Sequence, residues 1–326
     1  MALTGADAAL PTATQIGPYF SVVSLLPAAL LVTYVRWLLA TGALTGPMDW
    51  TPSDAFDLAG AAVTAAVAVV VALALNPLQF GFVQVLEGYW GASAVATAGR
   101  ASRIAHHRAR VIRLIGRANG KDHRHVGAGQ SPLEDVKRQS RLDESRRQLG
   151  YYPAQLNDVL PTRLGNVLRK YEFSVGAPYG LELIPALPRI AMVAREPEIA
   201  YVQNQRVQLE LAVRTCVLSL IAAFTTCAIL VRQGWPVLLS AVPYAVAYLA
   251  YRGAILLADE YGTAMTVMLE LNRFTLYERL ALPRPANSLE ERLLNGALMP
   301  ALKEQAMVDL RYLDTQQSSR SGAERD

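Results

Sequence analysis

Six arginines, Arg100, Arg103, Arg108, Arg110, Arg113 and Arg117, fall in one short stretch, RASRIAHHRARVIRLIGR, that holds no acidic residue. Ile104, Val111 and Ile115 recur at helical spacing in the same stretch, and Ile112 and Leu114 broaden that face. A basic amphipathic helix beside an inner leaflet predicts contact with anionic lipid headgroups, at about 1 kcal/mol per basic residue near the surface. The plainer expectation is a stalk helix that carries positive charge on the cytoplasmic side. Nucleic acid is argued against, because no aromatic residues interleave with the arginines to stack on bases.

Other residues with chemical potential are isolated. Cys216 and Cys227 lie on one face of a helix but about 16 Å apart along its axis, too far for a disulfide. His106 and His107 are adjacent and point about 100° apart on a helix, so they cannot share a metal. His123 and His125 sit beside Asp122 in a polar loop with no further ligand nearby. The acids Glu87, Asp259, Glu260 and Glu270 have no His, Cys or metal-type partner at useful spacing. No catalytic set and no metal or cofactor site is expected, and an enzyme is the less favoured reading.

These residues must be positioned by a very apolar chain. Of 326 residues 52% are hydrophobic and 18% charged, and the apolar ones fall in four runs: Tyr19–Leu44, Leu58–Leu75, Leu211–Val231 and Trp235–Leu257. Each has roughly the 20 residues needed to cross a ~30 Å hydrocarbon layer. The expected fold is therefore an all-α integral membrane protein, four transmembrane helices in two hairpins, with spans 2 and 4 extended into a helical cytoplasmic region. Of the 31 Lys and Arg, 19 lie from Arg100 to Arg206, whereas the loop 45–57 has none and the second short loop only Arg232. The positive-inside rule then puts the central segment and both termini in the cytoplasm of a bacterial inner (plasma) membrane. Residues 1–18 lack the basic start of a cleavable signal peptide.

Along the chain the expected divisions are an N-terminal segment 1–18, hairpin 1 over 19–75, and a cytoplasmic helical region over 76–210. Hairpin 2 follows over 211–257, then C-terminal helices over 258–314 and a disordered tail 315–326. A flexible linker is expected at about 118–150, with Ser131, Pro132 and Glu134 starting a short solvated helix in its second half. Arg36 is expected to snorkel outward or to pair with Asp54 or Asp57, and Arg214 and Arg252 to snorkel at the inner ends of spans 3 and 4. Span 2 is rich in small residues (Ala59, Gly60, Ala61, Ala62, Ala65, Ala66) that let another helix approach closely, and Asn76-Pro77 predicts a kink at its inner end. Span 4 is expected to continue to about Leu282, before Pro283, with a capping box Ser288–Glu291 opening a last helix.

The region 151–195 is the densest apolar segment outside the spans. Thr162 is a candidate N-cap for a helix Arg163–Tyr171, and Pro178, Pro185 and Pro188 forbid a long helix after it. Its residues Arg163, Asn166, Arg169, Tyr179 and Arg189 are the candidate cytoplasmic interaction segment. The two halves also share a loose pattern, Phe80-Gly81 with Leu86-Glu87 against Tyr261-Gly262 with Leu269-Glu270.

Leu86-Glu87-Gly88-Tyr89-Trp90 after the second span, Thr162-Arg163-Leu164-Gly165-Asn166 followed by Tyr179-Gly180-Leu181-Glu182, and Glu260-Tyr261-Gly262 after the fourth resemble segments of uncharacterised four-span membrane proteins of high-GC bacteria. That resemblance covers most of the chain and implies a fold but no activity. The two-plus-two arrangement is also similar in architecture to bestrophin-type chloride channels. Three functions are expected in descending order. The first is a non-enzymatic membrane-anchored scaffold or sensor with a cytoplasmic protein partner. The second is a homo-oligomeric ion channel with Asn76 and Glu87 at its inner mouth. The third is a lipid-handling membrane enzyme.

Overall fold

The computed structural model describes residues 20–44, 46, 48–50, 58–119, 132–303, 310 and 312. Every regular element among them is helical. A π-helical turn Phe20–Leu25 leads into α1 (Leu26–Ala40), followed by α2 (Leu58–Leu75), α3 (Gln79–Glu87), α4 (Ala94–Ala118) and α5 (Pro132–Leu149). Then come α6 (Arg163–Ser174), α7 (Leu183–Val193), α8 (Glu196–Leu230), α9 (Ala241–Arg279) and α10 (Ser288–Leu302). Three stretches are long and apolar enough to cross a membrane, Val23–Ala40, Glu196–Leu230 and Trp235–Arg279. A fourth joins them if the bent pair Ala59–Leu75 and Gln79–Glu87 is one span.

Among the described residues two compact units divide the chain: 20–167 with Asn204–Tyr261, and Leu168–Gln203 with 262–312. In the first unit the turns after α1 and after α8 meet. Gln233 Nε2 donates to the carbonyls of Ala43 (2.7 Å) and Gly46 (2.8 Å), and Trp50 stacks on Trp235 with ring centres 5.2 Å apart. Leu38, Ala43 and Leu230 are buried beneath them. Tyr34 and Thr226 share a 2.8 Å hydrogen bond between α1 and α8. Arg36 turns toward α2, where Nη1 donates to the Gly60 carbonyl and to Thr64 Oγ1. Asp54 and Asp57 lie outside the described residues.

The end of α2 follows from its proline. Pro77 has no N–H for the Leu73 carbonyl, so Asn76 N takes it at 3.3 Å, and Leu78 N and Gln79 N bond the carbonyls of Leu75 and Asn76. The axis turns by 63° there. Span 2 and its helical continuation are thus a bent pair, with the kink where Asn76-Pro77 predicts it. The second stop is Leu86–Trp90. Gly88 caps α3 at φ 106°, Tyr89 N reaches back to the Gln84 carbonyl at 2.9 Å, and Trp90 Nε1 takes the Val85 carbonyl at 2.9 Å. These bonds satisfy the carbonyls a helix end leaves open. The long helices are instead α8, which starts at Glu196 well before the third apolar run, and α9.

In the second unit, Gly262 of α9 lies so close to the Tyr171 ring that a Cβ there would overlap it, and Tyr171 Oη and Thr263 Oγ1 are 3.1 Å apart. The helix α9 stops at Arg279, short of the expected Leu282, because Ala281 adopts φ 55° and Leu282 N bonds the Tyr277 carbonyl. The last helix is capped one residue earlier than expected. Asn287 Oδ1 accepts from Leu289 N and Glu290 N, and Glu290 Oε2 accepts from Ala286 N. The expected linker 118–150 is narrower too, since Pro132–Leu149 is an 18-residue helix. Ser131, the His123–His125 pair and the tail from 315 lie outside the described residues.

Candidate functional site

The basic helix α4 begins where Ser93 caps it, accepting from Ala96 N at 3.3 Å, and it carries all six expected arginines. The centre of its apolar face is covered from within the chain. Val111 and Leu114 are buried against Tyr152 and Leu149, so the protein itself covers the centre of that face, while Ile112 and Ile115 are exposed. His107 lies on the same covered side at 2% exposure, with Nδ1 2.9 Å from the Tyr152 hydroxyl. Burial pushes its pKa down to about 4, and Arg103, His106, Arg110 and Arg163 add to that by like charge. Burial also raises the Tyr152 phenol, against the opposing pull of Arg110 and Arg163.

The arginines of α4 are held by neutral groups. Arg108 Nε donates to the Leu156 carbonyl at 2.9 Å, Arg110 Nη2 to Gln148 Oε1 at 3.1 Å, Arg113 Nε to the Ala109 carbonyl at 3.3 Å, and Arg100 lies over the Tyr89 ring. Among the described residues none of the six has a carboxylate at ion-pair distance, and neither does Arg163. Chemically the arrangement can orient anions. It has no nucleophile–base pair, and no group of three His, Cys, Asp or Glu that could hold a metal occurs among the described residues.

The candidate inner-mouth residues part company. Asn76 is exposed at the bend, where its Oδ1 accepts from Ser24 Oγ at 3.3 Å. Glu87 is only 2% exposed, so its carboxylate does not face outward from the chain. The Glu87 carbonyl accepts from Thr162 Oγ1 at 2.9 Å, and Gly165 packs on it so closely that a Cβ would overlap the oxygen. Thr162 Oγ1 also accepts from Gly165 N, as an N-cap of α6 should.

The five residues of the candidate interaction segment fall in both units. Asn166 is fully buried and stitches the turn before α6, bonding Leu160 N, the Leu160 carbonyl and the Thr162 carbonyl. Arg163 N, with Leu164 N, rests on the Tyr251 hydroxyl. In the other unit, Arg169 pairs with Glu172 at 2.8 Å and lies over the Phe173 ring, Arg189 donates to the carbonyls of Pro185 and Leu302, and Tyr179 lies under Arg273 and 3.4 Å from Glu270 Oε1.

Two polar centres have no counterpart among the expected sites. Arg214, expected to snorkel, is 0% exposed; its Nε donates to Gln79 Oε1 at 2.8 Å, while Gln79 Nε2 donates to the Glu210 carbonyl and Arg206 pairs with Glu210. The spacing Arg206, Glu210, Arg214 was a readable signal of one helix face, but nothing local pointed to Gln79 as the partner. In the second unit, Tyr277 donates to Glu291 Oε1 at 3.1 Å and accepts from Asn295 Nδ2 at 2.7 Å, and Arg273 pairs with Glu291 at 3.0 Å. Burial raises the Tyr277 phenol, chiefly by desolvation. In comparisons with known proteins, no family model matches the chain, and neither a curated protein nor a solved structure does so.

Proposed function

We propose that this chain is a multi-pass protein of a bacterial inner (plasma) membrane, with both termini cytoplasmic, that serves as a non-enzymatic scaffold or sensor. Its cytoplasmic helices contact anionic lipid headgroups and a protein partner. The single observation that carries this reading is how the buried polar groups of the spans are used. Gln79, Arg214 and Glu210 bond one another, and Glu87 is turned into the chain instead of toward a shared axis. Such an interior positions helices and leaves little to conduct an ion. The meeting of the two short turns supports the two hairpins entering from the same side, and the charge count supports the cytoplasmic placement of 76–210.

The test is oligomeric mass in nanodiscs together with planar-bilayer recording. The scaffold reading expects a monomer or dimer without conductance, and a conducting ring of about five subunits overturns it. Topology is tested separately by labelling Asp49→Cys and Ser140→Cys from each side in a background without the two native cysteines. Opposite accessibility is expected, and labelling of both from one side overturns the orientation. An oligomeric channel is the second reading, favoured by α2, which has no charge and leaves Ala62, Ala65, Ala66 and Val69 exposed.

A further inference from the structure

We infer that α4, with the start of α6, forms a binding site for a phosphate group, supplied by an anionic lipid headgroup or by a soluble phosphate, with Arg103, Arg110 and Arg163 as its cationic walls. The inference deepens the proposed lipid contact and rests on α4 facing the cytoplasm, which the labelling experiment decides independently. It differs from an inserted amphipathic helix, because the centre of the apolar face, Val111 and Leu114, is already covered by Tyr152 and Leu149.

Arg103, His107 and Arg110 are spaced i, i+4 and i+7 and so share one face of α4. Arg163, at the start of α6, and Tyr152 stand close enough to act on His107, and Arg163 acts on Tyr152 as well. Four positive or protonatable groups (Arg103, His106, Arg110 and Arg163) thus surround one imidazole, and no carboxylate pairs with the arginines among the described residues. Elsewhere the chain does otherwise: Arg169, Arg195, Arg206 and Arg273 each have a carboxylate within 3.0 Å.

Positive charge on the cytoplasmic side alone does not require this arrangement, since lysines scattered over mobile segments would meet it equally well. Here α4 contains arginine and no lysine. A guanidinium fork matches two phosphate oxygens, where an ammonium offers a point charge. The anchors on Leu156, Gln148 and Tyr89 are neutral, so they orient the forks without cancelling their field. His107 Nε2 is buried with no hydrogen-bond partner among the described residues. Burial is the first cause of this ring's lowered pKa and the surrounding cations the second; an arriving anion offsets the second and should therefore raise the His107 pKa from about 4.

The experiment uses the full chain in phosphatidylcholine nanodiscs, with and without phosphatidylglycerol, read by native mass spectrometry and by thermal unfolding. A second arm adds inorganic phosphate, against chloride at equal ionic strength, to the phosphatidylcholine discs. Phosphatidylglycerol retention should fall about tenfold or more in Arg103→Gln/Arg110→Gln and stay unchanged in Arg146→Gln/Arg147→Gln, which removes the same charge from α5. Stabilisation by inorganic phosphate alone identifies the same site with a soluble source. If the glutamine pair fails to fold, Arg103→Lys/Arg110→Lys replaces it, and a severalfold loss is expected because the forks are gone while the charge stays. Equal losses in the α4 and α5 pairs, full binding by the lysine pair, an unmoved His107 titration on binding, or no effect of either phosphate source overturns the inference.

Discussion

Charge is handled in opposite ways in two regions of the molecule. In helices 168–203 and 262–303, cations meet anions or aromatic rings: Arg273 with Glu291, Arg195 with Glu198, Arg169 with Glu172, and Arg284 over Phe274. In α4, among the described residues, no arginine has a carboxylate at ion-pair distance, and the arginines lean on carbonyls, an amide and a ring. Paired charge there is part of what holds helices together. Unpaired charge on α4 contributes little to folding and projects a field instead. The difference separates charges that join helices from charges that neutral groups hold, which is where the proposed phosphate site lies.

The comparison breaks most visibly at Glu291. Glu291→Leu strands Arg273 and removes the acceptor of Tyr277, and a loss of about 3–5 kcal/mol is expected in chemical denaturation. A loss no larger than that of an exposed pair such as Arg146–Asp143 would erase the distinction.

Next in size is the response to acid. The folded His107 titrates at about 4 against an ordinary 6.5, so between those values the unfolded chain binds a proton that the folded chain refuses. Stability should be flat above pH 6.5 and fall as pH drops toward 4, by about 3 kcal/mol in total, and His107→Gln should flatten that window. Glu198 is held below its ordinary 4.5, first by the Asn272 hydrogen bond and then by Arg195. Its contribution is present above that value and is lost only as pH falls below it, so Glu198→Gln should change the acid limb alone. Unfolding midpoints across pH would separate the two windows.

The smallest expected effect is at α4 itself. Arg113→Gln, at an exposed position, should move stability by less than about 0.5 kcal/mol while weakening phosphatidylglycerol binding. A stability loss comparable with that of Glu291→Leu would mean that α4's charges belong to the fold.

Much of the architecture was legible because its causes are local. Four apolar runs, the bend at Pro77, Thr162 as the cap of α6, and the exclusion of a long helix by Pro185 and Pro188 all depend on residues adjacent in sequence. The stop at Glu87 was missed because Gly88 reads as one more small residue until its left-handed φ and the returning bonds of Tyr89 and Trp90 are seen. The arginine row was legible, but not that Tyr152, well separated along the chain, covers the centre of its apolar side at Val111 and Leu114. Asn166 looked like part of a surface because polar residues usually are, yet its three bonds close a turn inside. Gln79 and Arg214 meet across 135 positions, a separation no spacing rule reaches.

That last pair bears on how the protein is made. A lone arginine carries its hydration into a bilayer at considerable cost, and α8 presents Arg214 beside its apolar stretch. The partner, Gln79, is synthesised earlier, immediately after the charge-free α2, which can partition into lipid unaided. On the membrane reading proposed above, synthesis from the N-terminus delivers the receptor before the helix that needs it, and α2 with α3 would act as a template for insertion of the second hairpin. A chain beginning after α3 should integrate α8 less efficiently in a glycosylation-mapping assay than the full chain does, and equal integration would refute this order of assembly.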